Sequence, residues 1–229
     1  MFVSDWMTKR VFTVSPDDSI TDAVKLMREK CIKHVPVLKD EKLKGIISDR
    51  DIKEFTPSKA TTLDVYELHY LLAKTKVKEV MKSKVVTTEP DVPVEEAAMI
   101  MYDQGVGCLP VMEQGRIAGI ISDRDIYRAL VDITGVRHGG NRVYLVIEDR
   151  PGSIKEVADI IRKYGFRMQS ILTSYERVKE GYRRVVIRIK GEGDFKGFKK
   201  ELQARYKDAA ITCRNIVEDV AMMLNRKTR

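Results

Sequence analysis

The chain has 229 residues, of which 43% are hydrophobic and 33% are charged, a composition typical of folded globular proteins and not of disordered ones. The formal net charge is +8, but residues 1–136 carry 20 basic and 22 acidic side chains, whereas residues 137–229 carry 22 and 12. Three cysteines without CxxC spacing exclude a complete disulfide framework, and three distant histidines show no metal-ligand spacing. Since the sequence also shows neither a signal-peptide core nor a membrane span, we expect a cytoplasmic protein without a metal site or a membrane partner.

The N-terminal part contains an internal repeat. Residues 3–56 align without a gap with residues 77–130, and 18 of the 54 positions are identical. Eight of these identities form one octet, GIISDRDI, at 45–52 and again at 119–126. The concentration of identity indicates a local constraint on the octet that the rest of the repeat does not share.

Each copy predicts the element order β-α-β-β-α. The β-branched runs VFTV and VVTT predict first strands, and SPDD and EPDV, with a proline followed by acidic residues, predict helix starts. HVPVLKD with LKGIIS, and CLPVMEQ with IAGIIS, predict hairpins, and a second helix begins at the end of each octet. We predict one repeat at 1–60, a connecting helix at 61–76 and the second repeat at 77–135.

The last third predicts a different unit, β-α-β-β-α-β at 141–218, followed by a basic tail at 219–229. The spacing of Ser153 and Glu156 predicts a capping box at the first helix of this unit, and Gly165 is placed to end that helix. This topology also occurs in RNA-binding modules, but the strand YRRVVIRIK has no aromatic residue at its centre. We therefore expect no nucleic-acid partner and assign the basic excess to solvated helix faces.

The octet residues allow two interpretations. Ser48 and Asp51 have the spacing of a capping box, which starts a helix and needs no ligand. The same residues suit a nucleoside phosphate, since the serine hydroxyl and Arg50 can bind phosphate and the carboxylate can accept ribose hydroxyls. The second copy offers the same set, and both interpretations stay open on the residues alone. The candidate ligand residues of that copy are Ser122, Arg124 and Asp125.

The repeats resemble a tandem pair of CBS domains, the Bateman module. The resemblance is carried by the Pro-Val pairs at 36–37 and 110–111, by the glycine that opens each octet, and by Ser-x-x-Asp within it. It implies a pseudo-symmetric pair whose clefts bind an adenosyl ligand, with Ser-x-x-Asp at the ribose and phosphate. It also implies an apolar slot for the base, lined by Thr13, Val14, Lys33, His34 and Val35, and by Thr87, Thr88, Gly107, Cys108 and Leu109. The sequence leaves open which copy supplies the first strand of each cleft. Because Lys33 and His34 carry positive or titratable charge, we expect their cleft to prefer di- or triphosphates.

A strand, then Asp149-Arg150-Pro151-Gly152, then a helix resembles an ACT domain of ferredoxin-like fold. In that family this loop binds an amino acid or the domain dimerises. Two CBS repeats followed by an ACT domain resemble the acetoin-utilisation accessory family. The expected fold class is α+β, and the expected function is non-catalytic sensing of AMP, ADP, ATP or a similar ligand by a homodimer. We expect no cofactor beyond that regulatory ligand. The alternative is a scaffolding dimer with vestigial clefts.

Overall fold

The computed structural model describes residues 1–56, 70, 72–207 and 209–212. The chain divides into two compact units, Met1–Tyr127 and Arg128–Arg229. Both units mix helices with antiparallel strands, so the α+β class is confirmed. Within the described part of the chain, every helix is too short or too polar to cross a lipid bilayer.

Each repeat contains a short lead-in helix, a longer helix, an antiparallel hairpin and a second helix. The first repeat has α1 Val3–Trp6, α2 Ile20–Lys30, β1 His34–Lys39, β2 Lys42–Ser48 and α3 Asp49–Phe55. The second repeat has α4 Val77–Val80, α5 Val94–Gln104, β3 Cys108–Glu113, β4 Arg116–Ser122 and α6 Asp123–Ile133. The predicted connecting helix at 61–76 lies largely outside the described residues.

The first strands and the helix starts of the repeats differ from the sequence prediction. VFTV and VVTT are reduced to single parallel bridges, Val14 with Val37 and Thr88 with Val111. Helix α2 begins at Ile20 and not at SPDD, because the Ser19 hydroxyl caps it by accepting the Asp22 N–H at 3.1 Å. The acidic residues of SPDD instead belong to a turn that precedes the cap.

The two repeats exchange their lead-in helices. Val3 of α1 is fully buried in the core of the second repeat, and Val77 of α4 is fully buried in the core of the first. The backbone supports the exchange, since the Val3 N–H donates to the Val92 carbonyl and the Val77 N–H to the Asp18 carbonyl, each at 2.9 Å. A sequence repeat is therefore not a self-contained packing unit.

The second unit has the predicted β-α-β-β-α-β order. After a 3₁₀ turn at Val136–His138, its elements are β5 Asn141–Glu148, α7 Ser153–Lys163, β6 Arg167–Ser174, β7 Tyr182–Lys190, α8 Phe195–Arg205 and β8 Ala210–Thr212. The strands form one antiparallel sheet in the order β6-β7-β5-β8. Side chains of both helices and of β5 and β7 form one core that includes Leu145, Ile187 and Phe198. The predicted tail at 219–229 lies outside the described residues.

The predicted capping box of helix α7 is wrong. Gly152, at φ 84°, is the N-cap, and Ser153 already lies in the first turn. The buried Ser153 hydroxyl accepts a hydrogen bond from Arg183 at 2.9 Å. Glu156 is paired with Arg150 at 2.7 Å and with Arg205 at 2.9 Å. The carboxylate of Glu156, which a capping box would need, is therefore paired with two arginines, and sequence spacing does not reveal these partners.

Candidate functional site

The two octets occupy equivalent positions, each at the junction of a hairpin strand and a helix. The first links β2 to α3 and the second links β4 to α6. Ser48 pairs in register with His34, and Ser122 pairs with Cys108. Asp51 and Asp125 are each only 7% exposed. Burial of an ionisable side chain is costly unless it is compensated, which makes both positions candidates for a function.

Hydrogen bonds from serine compensate both carboxylates. Oδ2 of Asp51 accepts the Ser48 hydroxyl at 2.5 Å and the Ser48 N–H at 2.9 Å, and the Asp51 N–H donates to the Ser48 hydroxyl at 3.2 Å. Oδ2 of Asp125 accepts the Ser122 hydroxyl at 2.7 Å and the Ser122 N–H at 3.0 Å. The complete capping box expected from the spacing is therefore present at Ser48, and the hydrogen bonds to the carboxylate are present at Ser122.

Helix α2 supplies an internal comparison for the capping interpretation. Ser19 and Asp22 form the same box, with the Ser19 hydroxyl donating to Asp22 at 2.6 Å. Asp22 is nevertheless exposed, and Pro93 and Glu96 stand at the equivalent positions of the second repeat. A helix can thus be capped without burying the aspartate and without keeping it in both repeats. In the octets, the aspartate is both buried and present in each repeat.

The neighbouring repeat supplies a residue to each octet strand. The N–H and C=O of Lys82 pair with Ile46 at 2.9 and 3.0 Å, and those of Thr8 pair with Ile120 at 2.9 and 3.0 Å. The Lys82 ammonium lies 3.0 Å from Oδ1 of Asp51. Burial would raise the pKa of Asp51, but the hydrogen bonds from Ser48 and Lys82 outweigh it and hold the pKa below its usual value. Sequence reasoning missed Lys82, because the alignment does not show that a lead-in crosses to the other octet.

The glycine that opens each octet permits this crossing. A Cβ on Gly45 would lie 2.6 Å from the Met81 sulfur, and a Cβ on Gly119 would lie 2.5 Å from the Met7 sulfur. Both distances are too short for a real contact. The close approach of the crossing lead-in therefore explains why glycine stands at both positions.

The octet arginines lie on the surface. Arg50 Nε pairs with Glu54 at 3.0 Å, one turn along α3, and its side chain is 81% exposed. Arg124 is also exposed. Neither contact nor burial directs Arg50 toward Asp51, so the phosphate role expected for the arginines stays a prediction.

The residues predicted to line the base slot lie in three kinds of environment. Val14, Val35 and Leu109 are buried in the repeat cores, which accounts for them by packing alone. The exposed members are Thr13, Lys33 and Thr87. Thr88 is 6% exposed and its hydroxyl has no hydrogen-bond partner, an arrangement that favours a polar ligand atom at this point.

The start of β1 approaches the start of β3. A Cβ on Gly107 would lie 3.1 Å from Cε1 of His34, so these two base-slot candidates from different repeats are brought together. Burial lowers the pKa of His34, although Asp123 and Asp49 oppose this effect, and the imidazole is therefore neutral at pH 7. Burial likewise raises the pKa of Cys108 to about 12, so its thiol stays protonated. His34 consequently adds no positive charge at neutral pH.

The Asp-Arg-Pro-Gly loop of the second unit is occupied by internal contacts. Asp149 Oδ1 lies 3.5 Å from Arg183 Nε, and Arg150 Nε lies 2.9 Å from Glu148. Pro151 and Gly152 are exposed. Across the described ranges of both units, His, Cys, Asp and Glu side chains form no group of three or more suited to a metal ion.

Comparisons with known proteins agree with this architecture. The CBS domain family matches residues 3–57 and 77–132, and the family described as TTHA0829-like ACT domain matches residues 139–217. The CBS domain-containing protein YhcV of Bacillus subtilis is 32% identical over 124 residues, covering 54% of this chain and 81% of that protein. The chain belongs to the CBS-domain proteins. It carries two CBS domains and a C-terminal ACT domain, as the sequence predicted.

Solved structures and enzymes are also among the similar proteins. A putative acetoin utilization protein (AcuB) from Vibrio cholerae is 29% identical with a TM-score of 0.50, covering 60% of this CBS-domain protein and 96% of that chain. The structure of CBSX2 in complex with AMP is 29% identical with a TM-score of 0.47, covering 58% and 97%. Inosine-5'-monophosphate dehydrogenase of Methanocaldococcus jannaschii is 38% identical over 122 residues, covering 52% of this chain but 22% of the enzyme. The matched segment thus covers 81% of YhcV but 22% of the dehydrogenase.

Proposed function

We propose that this CBS-domain protein is a non-catalytic regulatory sensor that binds an adenosyl nucleotide at its two octets. The observation that carries the proposal is the pair of buried aspartates, Asp51 and Asp125, at equivalent positions in identical octets. The exposed Asp22 caps a helix with the same chemistry, so capping alone does not account for their burial.

The carboxylates favour a ligand that presents neutral donors. A bare anion would be repelled by an ionised aspartate, whereas the two hydroxyls of a ribose can donate to it in charge-assisted hydrogen bonds. A phosphate can then bind beside the carboxylate at nearby cations such as Lys82. These features support a nucleoside phosphate such as AMP, ADP or ATP, the ligand class that the CBS resemblance implies.

Calorimetric titration of the Asp51→Ala, Asp125→Ala double variant with AMP and ATP tests the proposal. Hydrogen bonds to charged groups contribute about 1.5–3 kcal/mol each, so affinity at each cleft should fall about ten- to a hundredfold. Asp22→Ala is the matched control, because it removes the same capping interaction from a helix outside the octets. The Asp22→Ala variant should bind AMP and ATP with the affinity of the wild type.

A scaffolding protein with vestigial clefts is the competing function. The complete capping interactions of Ser48 with Asp51 favour it, since they give the serine and the aspartate a structural role without a ligand. A wild-type protein that binds no adenosyl compound at millimolar concentration would establish this alternative. Turnover of a bound nucleotide would instead place the protein among enzymes.

We infer that the ACT domain contributes amino-acid binding or dimerisation, and that the protein acts as a cytoplasmic homodimer. The sheet supports dimerisation, because β6 lies at an edge and much of its side-chain surface is exposed. Edge strands of this kind are usually covered or paired. Light scattering that finds a monomer at micromolar concentration would contradict the dimer, and a thermal-shift screen of amino acids tests the loop at 149–152.

A further inference from the structure

The two octets differ in the residue that the neighbouring repeat brings to them. Lys82 and Thr8 are equivalent by sequence alignment and by their backbone pairing with Ile46 and Ile120. The octets themselves are identical. A difference in ligand preference between the two clefts must therefore come from residues around the octets, and this position is one that the structure places in contact with an octet carboxylate.

Both oxygens of the Asp51 carboxylate already have protein donors. Oδ2 accepts the two Ser48 hydrogen bonds, and Oδ1 lies 3.0 Å from the Lys82 ammonium. Ribose hydroxyls that donate to Asp51 must therefore compete with Lys82 or displace it. Since the Lys82 side chain is 66% exposed and carried on a flexible stem, it is free to move to a nearby acceptor.

We propose that Lys82 makes the first cleft selective for adenosyl ligands with an anionic tail. This inference rests on the proposed function. A phosphate beside the ribose accepts the displaced ammonium, so the ion pair is exchanged and not lost. A ligand with a neutral tail takes the Asp51 oxygen and leaves Lys82 without a counter-ion. Thr8 carries no charge, so it cannot give the second cleft this preference.

Lys82 adds a further difference between the clefts to the one expected from Lys33 and His34. Lys33 is exposed, and His34 is neutral at pH 7 because its burial lowers its pKa. The Lys82 ammonium, in contrast, contacts an octet carboxylate directly. One charge that distinguishes the first cleft therefore comes from the second repeat.

Titration of each cleft by itself tests the proposal. In an Asp125→Ala background, which weakens binding at the second cleft, we compare the dissociation constants of adenosine and ADP at the first cleft with and without Lys82→Thr. The preference for ADP over adenosine should fall about fivefold, the upper range of an exposed ion pair. Lys78→Thr is the matched control, because it removes an equal charge from an ion pair with Asp17, at 2.7 Å and away from the octets.

The reciprocal exchange provides a gain of function. In an Asp51→Ala background, Thr8→Lys should raise the preference of the second cleft for ADP by a similar factor. If the Asp125→Ala protein binds ADP and adenosine with a ratio of dissociation constants that Lys82→Thr leaves unchanged, the proposal is overturned. The proposed function stands in that case. Loss of all binding in Asp125→Ala alone would also overturn it, because the first cleft would then hold no ligand. A wild type that binds neither compound refutes the proposed function itself.

Discussion

His34 is a half-buried imidazole at the meeting point of the two repeats. Its ring lies beside Gly107, and the carboxylates of Asp123, Asp49 and Asp51 face it. Burial nevertheless dominates and lowers its pKa below the ordinary value of 6.5. The protein is therefore expected to lose stability in mildly acidic solution, because the unfolded chain binds a proton that the folded chain rejects.

We predict that the free energy of unfolding falls as the pH drops below 6.5 and that His34→Gln reduces this fall. A single group contributes at most about 1.4 kcal/mol per pH unit, and only between its unfolded and folded pKa values. Asp51 affects the free energy of unfolding in a separate pH range, below 3.8. Because the pKa of Asp51 is lowered in the folded protein, its contribution is lost as the pH falls through that range. Urea titrations at several pH values measure the slope, with His138→Gln as the control. Equal slopes for the wild type and His34→Gln between pH 7 and 5 would contradict the prediction.

At the scale of an element, the C-terminal caps of α2 and α5 show how the repeats diverged. Gly105 ends α5 in the left-handed conformation at φ 62°, and Cys31 adopts nearly the same conformation at φ 53° at the end of α2. Glycine accepts this backbone without strain, whereas a residue with a Cβ does not. The first repeat therefore carries a strain that the second avoids.

We predict that Cys31→Gly stabilises the protein by about 0.5 kcal/mol and that Gly105→Ala destabilises it by about 1 kcal/mol. A left-handed residue with a Cβ costs about 1–2 kcal/mol, and glycine gives back part of this through the entropy of the unfolded chain. A Cβ on Gly105 would meet no atom within 4 Å, so its effect is conformational and not steric. Cys31→Ala, which removes the thiol but keeps the Cβ, should match the wild type. Urea midpoints decide, and a Gly105→Ala variant as stable as the wild type would refute this account.

Local sequence signals predicted most elements but misplaced several helix starts. The hairpins and α8 follow from strand and helix periodicity, and Gly165 ends α7 as expected. The Ser19 cap was overlooked because Pro16 gave a stronger local signal. The Ser153 box failed because Arg150 and Arg205, one of them distant in the chain, hold Glu156. Capping choices are settled by tertiary partners that no local window contains.

For the whole molecule, the sequence predicted the repeat but left open which segments its halves exchange. An alignment of 3–56 with 77–130 reads the same whether a lead-in packs on its own repeat or on the other. The predicted site was incomplete for the same reason. The octet sequence points to Ser48 and Asp51, whereas Lys82 lies in the lead-in of the other repeat and is not indicated by it. Contacts between segments far apart in sequence decide both where each lead-in packs and that Lys82 joins the site. The domain limits at 60, 77 and 135 remain predictions, and the exchange shows that each CBS core needs residues from both repeats.

Substitutions at Val3 and Val77 test this exchange. Both side chains are fully buried, so Val3→Ala and Val77→Ala should each lower the free energy of unfolding by about 2 kcal/mol, from lost burial and a small cavity. Phe2→Ala is the control, because Phe2 is 52% exposed and its loss should change stability by about 0.5 kcal/mol or less.

The elements that lose amide protection in each variant distinguish exchanged lead-ins from repeats that fold independently. Hydrogen exchange followed by mass spectrometry should show Val3→Ala reducing amide protection in α5, β3 and β4, which form the core that Val3 enters. Val77→Ala should give the mirror result in α2, β1 and β2. Self-contained repeats would produce the opposite pattern, with each substitution weakening only its own copy. The two lead-ins thus tie the clefts together, because a change that loosens α4 also moves the segment that holds Lys82 against Asp51.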